Sequence, residues 1–194
     1  MAKRKSRTQS IDPHESDPRD RCYTPAYALD PLLSYLPPGA LWEPAAGDGH
    51  IVRALQAAGR DVYASEIRHG ANFFEHTPPF AWEAQVTNPP FSSKYHWIEH
   101  SYRLGKPFAL LLPLETLGAW SAQKHFRAHG VEVLLLNKRV NFIMPNVGLE
   151  GGGANFPVAW FCWQLLPAPI VYGDISPRAD AQLTLPLETE PAHV

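Results

Sequence analysis

The run Phe108-Ala109-Leu110-Leu111-Leu112 is apolar at every position. A strand of this kind is stable only where both faces of its sheet are covered, as in the parallel sheets of α/β proteins. Residues 131–136 read as a second buried strand, and around these two runs strand-like and helix-like segments alternate. Residues 26–36 place Leu29, Leu32, Leu33 and Leu36 at helical spacing and are closed by Pro37-Pro38-Gly39. Residues 40–44 form a short strand. Ile51, Val52 and Leu55 then share a helical face that Gly59 ends. A strand at 61–65 carries Glu66 at its end, and another follows at 84–87. Helices are expected at 95–104, stopped by Gly105, and at 120–129. Residues 156–165, rich in aromatics and β-formers, lie close enough to the strand before them for an antiparallel hairpin. The expected fold is a doubly wound α/β sheet, mostly parallel with a C-terminal antiparallel hairpin.

The 194 residues suit one domain, expected over 21–174. Residues 1–20 make a basic, flexible tail with Lys3, Arg4, Lys5 and Arg7, and residues 175–194 a flexible tail with Glu188 and Glu190. The basic arm either neutralises phosphates or is simply solvated. A net charge of −2 does not advertise a nucleic-acid partner. No apolar run reaches membrane-spanning length, and the basic start lacks the apolar segment of a signal peptide, so a cytoplasmic protein without a membrane partner is expected. Cys22 and Cys162 have neither metal-ligand spacing nor a disulfide framework, and the nine histidines form no ligand pattern. No metal is expected.

Asn88-Pro89-Pro90-Phe91 follows the strand at 84–87. The Asn88 side-chain oxygen and the Pro89 carbonyl can both accept from one exocyclic NH2, and the prolines hold them with fixed φ and no competing N–H. Phe91 can stack on a base, a contact worth ~1–3 kcal/mol. Two acceptors on one amino group direct its lone pair toward an electrophile. Upstream, Gly47 and Gly49 sit where a strand turns into a helix, where glycine lets a ligand approach the backbone. In α/β sheets ligands bind at the carboxyl ends of strands, and a carboxylate at the end of the second strand, here Glu66, is placed to accept ribose hydroxyls. An ordinary turn and a solvent-facing glutamate are the plain alternatives.

The tetrapeptide resembles the catalytic motif of amino-group methyltransferases that use S-adenosylmethionine, in which Asn-Pro-Pro-Phe or -Tyr marks adenine-N6 enzymes. Trp42-Glu43-Pro44-Ala45-Ala46-Gly47-Asp48-Gly49 is similar to the family's cofactor loop, and Tyr23-Thr24-Pro25 to the short motif before it. The resemblance implies a class I methyltransferase (Rossmann-like) fold, S-adenosylmethionine as cofactor and adenine N6 in DNA as acceptor. Asn88, Pro89, Pro90 and Phe91 would be catalytic, on a base flipped out of its helix.

By the same resemblance, Thr24 would hold the cofactor carboxylate, with Tyr23 and Pro25 beside it. Asp48 or Glu43 would meet its ammonium, while Pro44, Ala45, Gly47 and Gly49 form the loop. Glu66 and Ile67 would take the ribose and adenine side, and Asn88 would border the cofactor as well as the substrate. Asn72 stands where relatives often have an acid, and its amide oxygen can still accept from the cofactor's amino group. Phe73 either flanks that adenine or packs in the core.

Lys94 either contacts a displaced strand or opens a helix as a solvated residue. Lys138, Arg139 and Asn141 lie past a strand end on the expected substrate side, and the glycine-rich stretch 145–155 reads as a loop that closes over nucleic acid or is merely flexible. Trp120, Trp160 and Trp163 are expected to serve core or hairpin packing and not substrate contacts. No separate recognition domain is expected, a compactness that resembles phage-encoded adenine methyltransferases. An RNA methyltransferase and a non-catalytic cofactor-binding subunit are the competing readings.

Overall fold

The computed structural model describes residues 22–144 and 156–176. Seven strands form one sheet: β1 (Leu41–Glu43), β2 (Val62–Ala64), β3 (Ala84–Thr87), β4 (Phe108–Pro113), β5 (Glu132–Leu136), β6 (Val158–Trp163) and β7 (Ile170–Gly173). Their order across the sheet is β2-β1-β3-β4-β6-β5-β7. All neighbours run parallel except β6, which is antiparallel to both β4 and β5. The expected hairpin is therefore present, but it is not the end of the sheet. β7 adds a further parallel strand beside β5.

The two faces of the sheet are separated by the alternation within each strand. Ala109 and Leu111 enter one core cluster with Leu29, Leu32, Ile51 and Leu55, the last two from helix α1 (His50–Ala57). Phe108, Leu110 and Leu112 enter the other, with Ile98 and Tyr102 of α2 (Lys94–Leu104) and Ala122 and Phe126 of α3 (Trp120–His129). This is the covered-on-both-sides environment that the apolar run of β4 requires. A third, aromatic cluster gathers Trp42, Phe73, Trp82 and Trp97.

The helix expected at 26–36 is instead a pair of short 3-10 turns, Ala26–Ala28 and Leu33–Tyr35. Pro31 lies between them. It has no N–H to continue a helix and disfavours helical backbone at the residue before it. Leu29, Leu32 and Leu36 are buried all the same. The packed unit also passes the expected boundary at 174. Ile175 is buried in the first cluster, and its N–H donates to Asn137 Oδ1 at 2.9 Å. The expected basic tail and the 145–155 loop lie outside the described residues.

Candidate active site

Parallel pairing puts the carboxyl ends of β1, β2, β3 and β4 along one edge of the sheet. The loop after β1 and the turn after β3 both leave from there. Gly47 and Gly49 have φ of +52° and +79°, left-handed values that glycine adopts without strain. A side chain at Gly47 would also press on the Tyr23 ring, 3.2 Å from where its Cβ would be. Tyr23 in turn stacks on His50 with ring centroids 4.8 Å apart. A two-way backbone pair with Ile143, at 2.9 Å in each direction, anchors it.

A cavity of about 530 Å³ opens beside this loop and takes in Gly47, Asp48, Gly49, Arg53, Ser65 and Glu66. That volume suits a small-molecule ligand. Glu66 Oε2 accepts the Gly47 N–H at 2.6 Å, so the second strand end reaches across to the loop. Arg68 clasps the same rim: its Nη2 meets Asp48 Oδ1 at 3.1 Å and its Nε meets Glu66 Oε1 at 3.4 Å. The Tyr23 hydroxyl, then Arg68, hold the Asp48 carboxyl below the usual carboxylate range. Asp48 thus faces the cavity rim with its charge already engaged. Ile67, at the start of the short turn Ile67–His69, is exposed beside Glu66.

Glu43 departs from the expectation of a charged partner for an ammonium. Its side chain is fully buried, and Oε1 accepts the Ala45 N–H at 2.9 Å. Burial pushes its pKa up to about 8; the Thr87 hydroxyl and the Ala45 N–H offset part of the rise, and the Glu66 carboxylate adds to it. At neutral pH Glu43 is therefore mostly a neutral acid.

Asn88 lies just past the end of β3, one strand over from Glu43. Its Nδ2 donates to the Cys22 carbonyl at 3.3 Å, which orients the amide and leaves Oδ1 as its free acceptor. Asn88 Oδ1 and Thr24 Oγ1 are among the buried side-chain atoms of the described residues that have no hydrogen-bond partner. Buried polar atoms are nearly always paired. Of these two, one lies just past β3 and the other in the Tyr23-Thr24-Pro25 segment, while others such as Gln85 Nε2 and Thr116 Oγ1 lie elsewhere. Pro89 is buried and Pro90 leads into a 3-10 turn, Phe91–Ser93, that opens directly into α2. Phe91 is half-buried, edge-on to Phe142 at 6.2 Å and to Phe156 at 5.9 Å.

A methyltransferase subunit of a type I restriction-modification system from Streptococcus thermophilus aligns with 79% of the chain at 13% identity and a TM-score of 0.53. The fold is that of a class I methyltransferase. The chain spans 47% of that subunit's length. A predicted O-methyltransferase from Agrobacterium tumefaciens also aligns, at 13% identity over 78% of this chain and 86% of that one, with a TM-score of 0.40. No family model matches the sequence, and no curated protein does.

Within the methyltransferase fold, several expected side chains are committed elsewhere. Phe73 is buried, stacked on Trp97 at 4.0 Å between centroids, so it belongs to the aromatic core and not to a ligand face. Asn72 Oδ1 accepts the Phe74 N–H at 3.1 Å, which shapes its own turn. Lys94 folds back: its Nζ donates to the Phe91 carbonyl at 3.2 Å and lies 4.8 Å from the Tyr95 ring centre. It braces the Asn-Pro-Pro-Phe turn and does not extend outward. Lys138 and Arg139 are exposed just after β5, at the same sheet edge, and the Asn141 N–H donates to the Tyr27 hydroxyl at 2.9 Å.

The cavity on the glycine loop does not include Asn88, Pro89, Pro90 or Phe91. Cys22, Arg68 and Phe156 were not expected at the site. Only their tertiary placement, which no local pattern encodes, brings them there. Trp120, expected to pack in the core or a hairpin, is 77% exposed. Among the described residues no cluster of three His, Cys, Asp or Glu side chains could hold a metal ion, and no helix is long and apolar enough to cross a membrane.

Proposed function

We propose that this protein transfers a methyl group from S-adenosylmethionine to the N6 amino group of adenine in DNA, in the cytoplasm of a bacterial or phage-infected cell. The observation that supports the reading is the unpartnered amide oxygen of Asn88, followed by two prolines and next to the strand that leads into the glycine loop. The donor set fits the cofactor. Thr24 offers a buried hydroxyl without a partner for a carboxylate, Gly47 and Gly49 add no side chains of their own to the cavity wall, and Glu66 stands past the end of β2. Ile67 presents an exposed apolar side chain next to Glu66, suited to an adenine face. The likeness in fold to a restriction-modification methyltransferase subunit is in keeping with a DNA substrate.

S-adenosylmethionine, when bound, supplies a methyl group already activated by its sulfonium, so the protein needs no nucleophile of its own. Its work is orientation, which is worth several kcal/mol when reacting atoms are aligned. Asn88 Oδ1 and the Pro89 carbonyl accept from the two amino hydrogens, which favours the tetrahedral nitrogen of the transition state over the planar ground state. The Cys22 carbonyl prevents the amide from turning over and presenting its NH2. Phe91, supported by Phe142 and Phe156, forms the aromatic side of the base site.

The test is methyl transfer from labelled S-adenosylmethionine to duplex DNA, single-stranded DNA and RNA, with mass spectrometry of the digested nucleosides. N6-methyladenine in DNA is expected, with a loss of at least 100-fold for Asn88→Ala while cofactor binding persists, as for removal of a transition-state hydrogen-bond partner. Label confined to RNA would replace the acceptor in this reading. Cofactor binding with no labelled nucleic acid would favour a non-catalytic subunit.

A further inference from the structure

Helix α3 begins with Trp120, a large aromatic side chain that is 77% exposed. Burying such a ring on the protein itself costs nothing in hydrogen bonds, because its single N–H can face water. Exposed in this way, the ring is open to stacking by a flat partner. The topology fixes where it points along the sheet. β4 and β5 are parallel to one another, since each is antiparallel to β6, so α3 must run from the carboxyl edge back to the amino edge. Its first residue lies on the edge from which the Asn88 turn also emerges.

A chain of contacts joins the two. Phe91 meets the Phe156 ring, Pro157 accepts the Leu114 N–H at 2.9 Å, and the short turn Leu114–Gly118 runs directly into Trp120. Phe156 and Leu117 are themselves exposed along this path, at 36% and 40%. From Trp120 the outward face of α3 continues through Lys124 and Arg127, while Ala122 and Phe126 face the core. Helical rise sets these cations about 6 and 10 Å below the ring. α3 contains no carboxylate. Glu115, exposed in the preceding turn, and Glu99 of α2, 4.0 Å from His125, are the acids near it. In a chain of net charge −2, an aromatic ring above a basic stripe on one helix face is a local feature, not a reflection of composition.

We infer that the Trp120–Lys124–Arg127 face of α3 binds the nucleic-acid strand that flanks the target base, with Trp120 stacking on a neighbouring base and the two cations following the phosphates. The inference rests on the proposed action on nucleic acid. Aromatic stacking is tolerant of sequence, because every base has a π-face, and phosphate contacts carry no sequence information. This face would therefore hold the strand without choosing the site.

The probe is a fluorescein-labelled oligodeoxynucleotide, single-stranded and in duplex, with an RNA of the same sequence, followed by anisotropy at graded salt. Trp120→Ala should weaken binding roughly tenfold or more, as loss of a stacking platform does, and Trp120→Phe should retain most of it. Lys124→Glu with Arg127→Glu should reduce the slope of log affinity against log salt by roughly 1.5. Calorimetric affinity for S-adenosylmethionine should be unchanged in all three, which separates strand binding from misfolding. If native protein methylates DNA but these variants bind it equally well, the inference is wrong and the proposed function stands. If native protein binds S-adenosylmethionine yet neither binds nor methylates any nucleic acid, the proposed function fails and the inference with it.

Discussion

Glu43 has no route to water, and its environment inverts the role that its sequence position suggests. The motif around it reads as a source of negative charge. Burial between β2 and β3 keeps it protonated up to about pH 8. The consequence for stability has a definite sign. Between about pH 4.5 and 8 the folded protein holds a proton that the unfolded chain has released, so stability falls as pH rises through that window. The slope approaches about 1.4 kcal/mol per pH unit and levels off above the folded pKa. Glu43→Gln, neutral at every pH, should remove it. Urea unfolding of both proteins from pH 5 to 8 should give curves that diverge steadily, with the variant gaining relative to native; parallel curves would refute the assignment. At this scale Asn88 and the glycines were legible because their chemistry is local. The neutral state of Glu43 and the committed rings of Phe73 and Lys94's folded side chain were not, since each depends on residues distant in sequence.

The elements tell a similar story, with proline deciding the failures. Leucine spacing at 26–36 signals a buried face correctly, but Pro31 interrupts the backbone that the spacing implies. β7 was missed because it is only four residues long, follows Pro167 and Pro169, and leaves Ile170 and Tyr172 exposed, so it has neither a full apolar run nor a simple alternation of strongly buried positions. Besides its parallel pairing with β5, the turn before β7 helps to hold it. Gln164 adopts a left-handed φ of 56°, and Glu132 of β5 collects the N–H groups of Gln164, Leu165 and Leu166 at 3.0, 3.0 and 2.7 Å. Glu132→Ala leaves these three donors unpaired and should cost about 1–3 kcal/mol, read as a lower urea midpoint. Glu132→Gln, which keeps one acceptor oxygen, should lose less. An unchanged midpoint for the alanine variant would show that solvent replaces the carboxylate fully.

Across the whole molecule, the class of fold was readable because the strand runs and helical faces alternate, whereas the order of strands was not. Pairing partners are set by which hydrophobic faces meet, and nothing within β5 or β6 says that β6 inserts between β4 and β5. One core cluster takes residues from Tyr27 to Ile175, so both ends of the described chain share the same interior. Unfolding should accordingly be a single transition, with far-UV circular dichroism and tryptophan emission coincident in urea. Separated midpoints would mean that the β5-β6-β7 end melts independently.

The distribution of the six tryptophans gives the protein two optical reporters in one chain. Trp42, Trp82, Trp97 and Trp160 are buried and Trp163 is half-buried, leaving Trp120 as the ring that meets water most fully. A dissolved quencher such as iodide should therefore select the red-shifted light of Trp120 while the blue-shifted emission of the interior persists. Events at the rim of the sheet and events in the core can then be followed by colour, without a label attached to either.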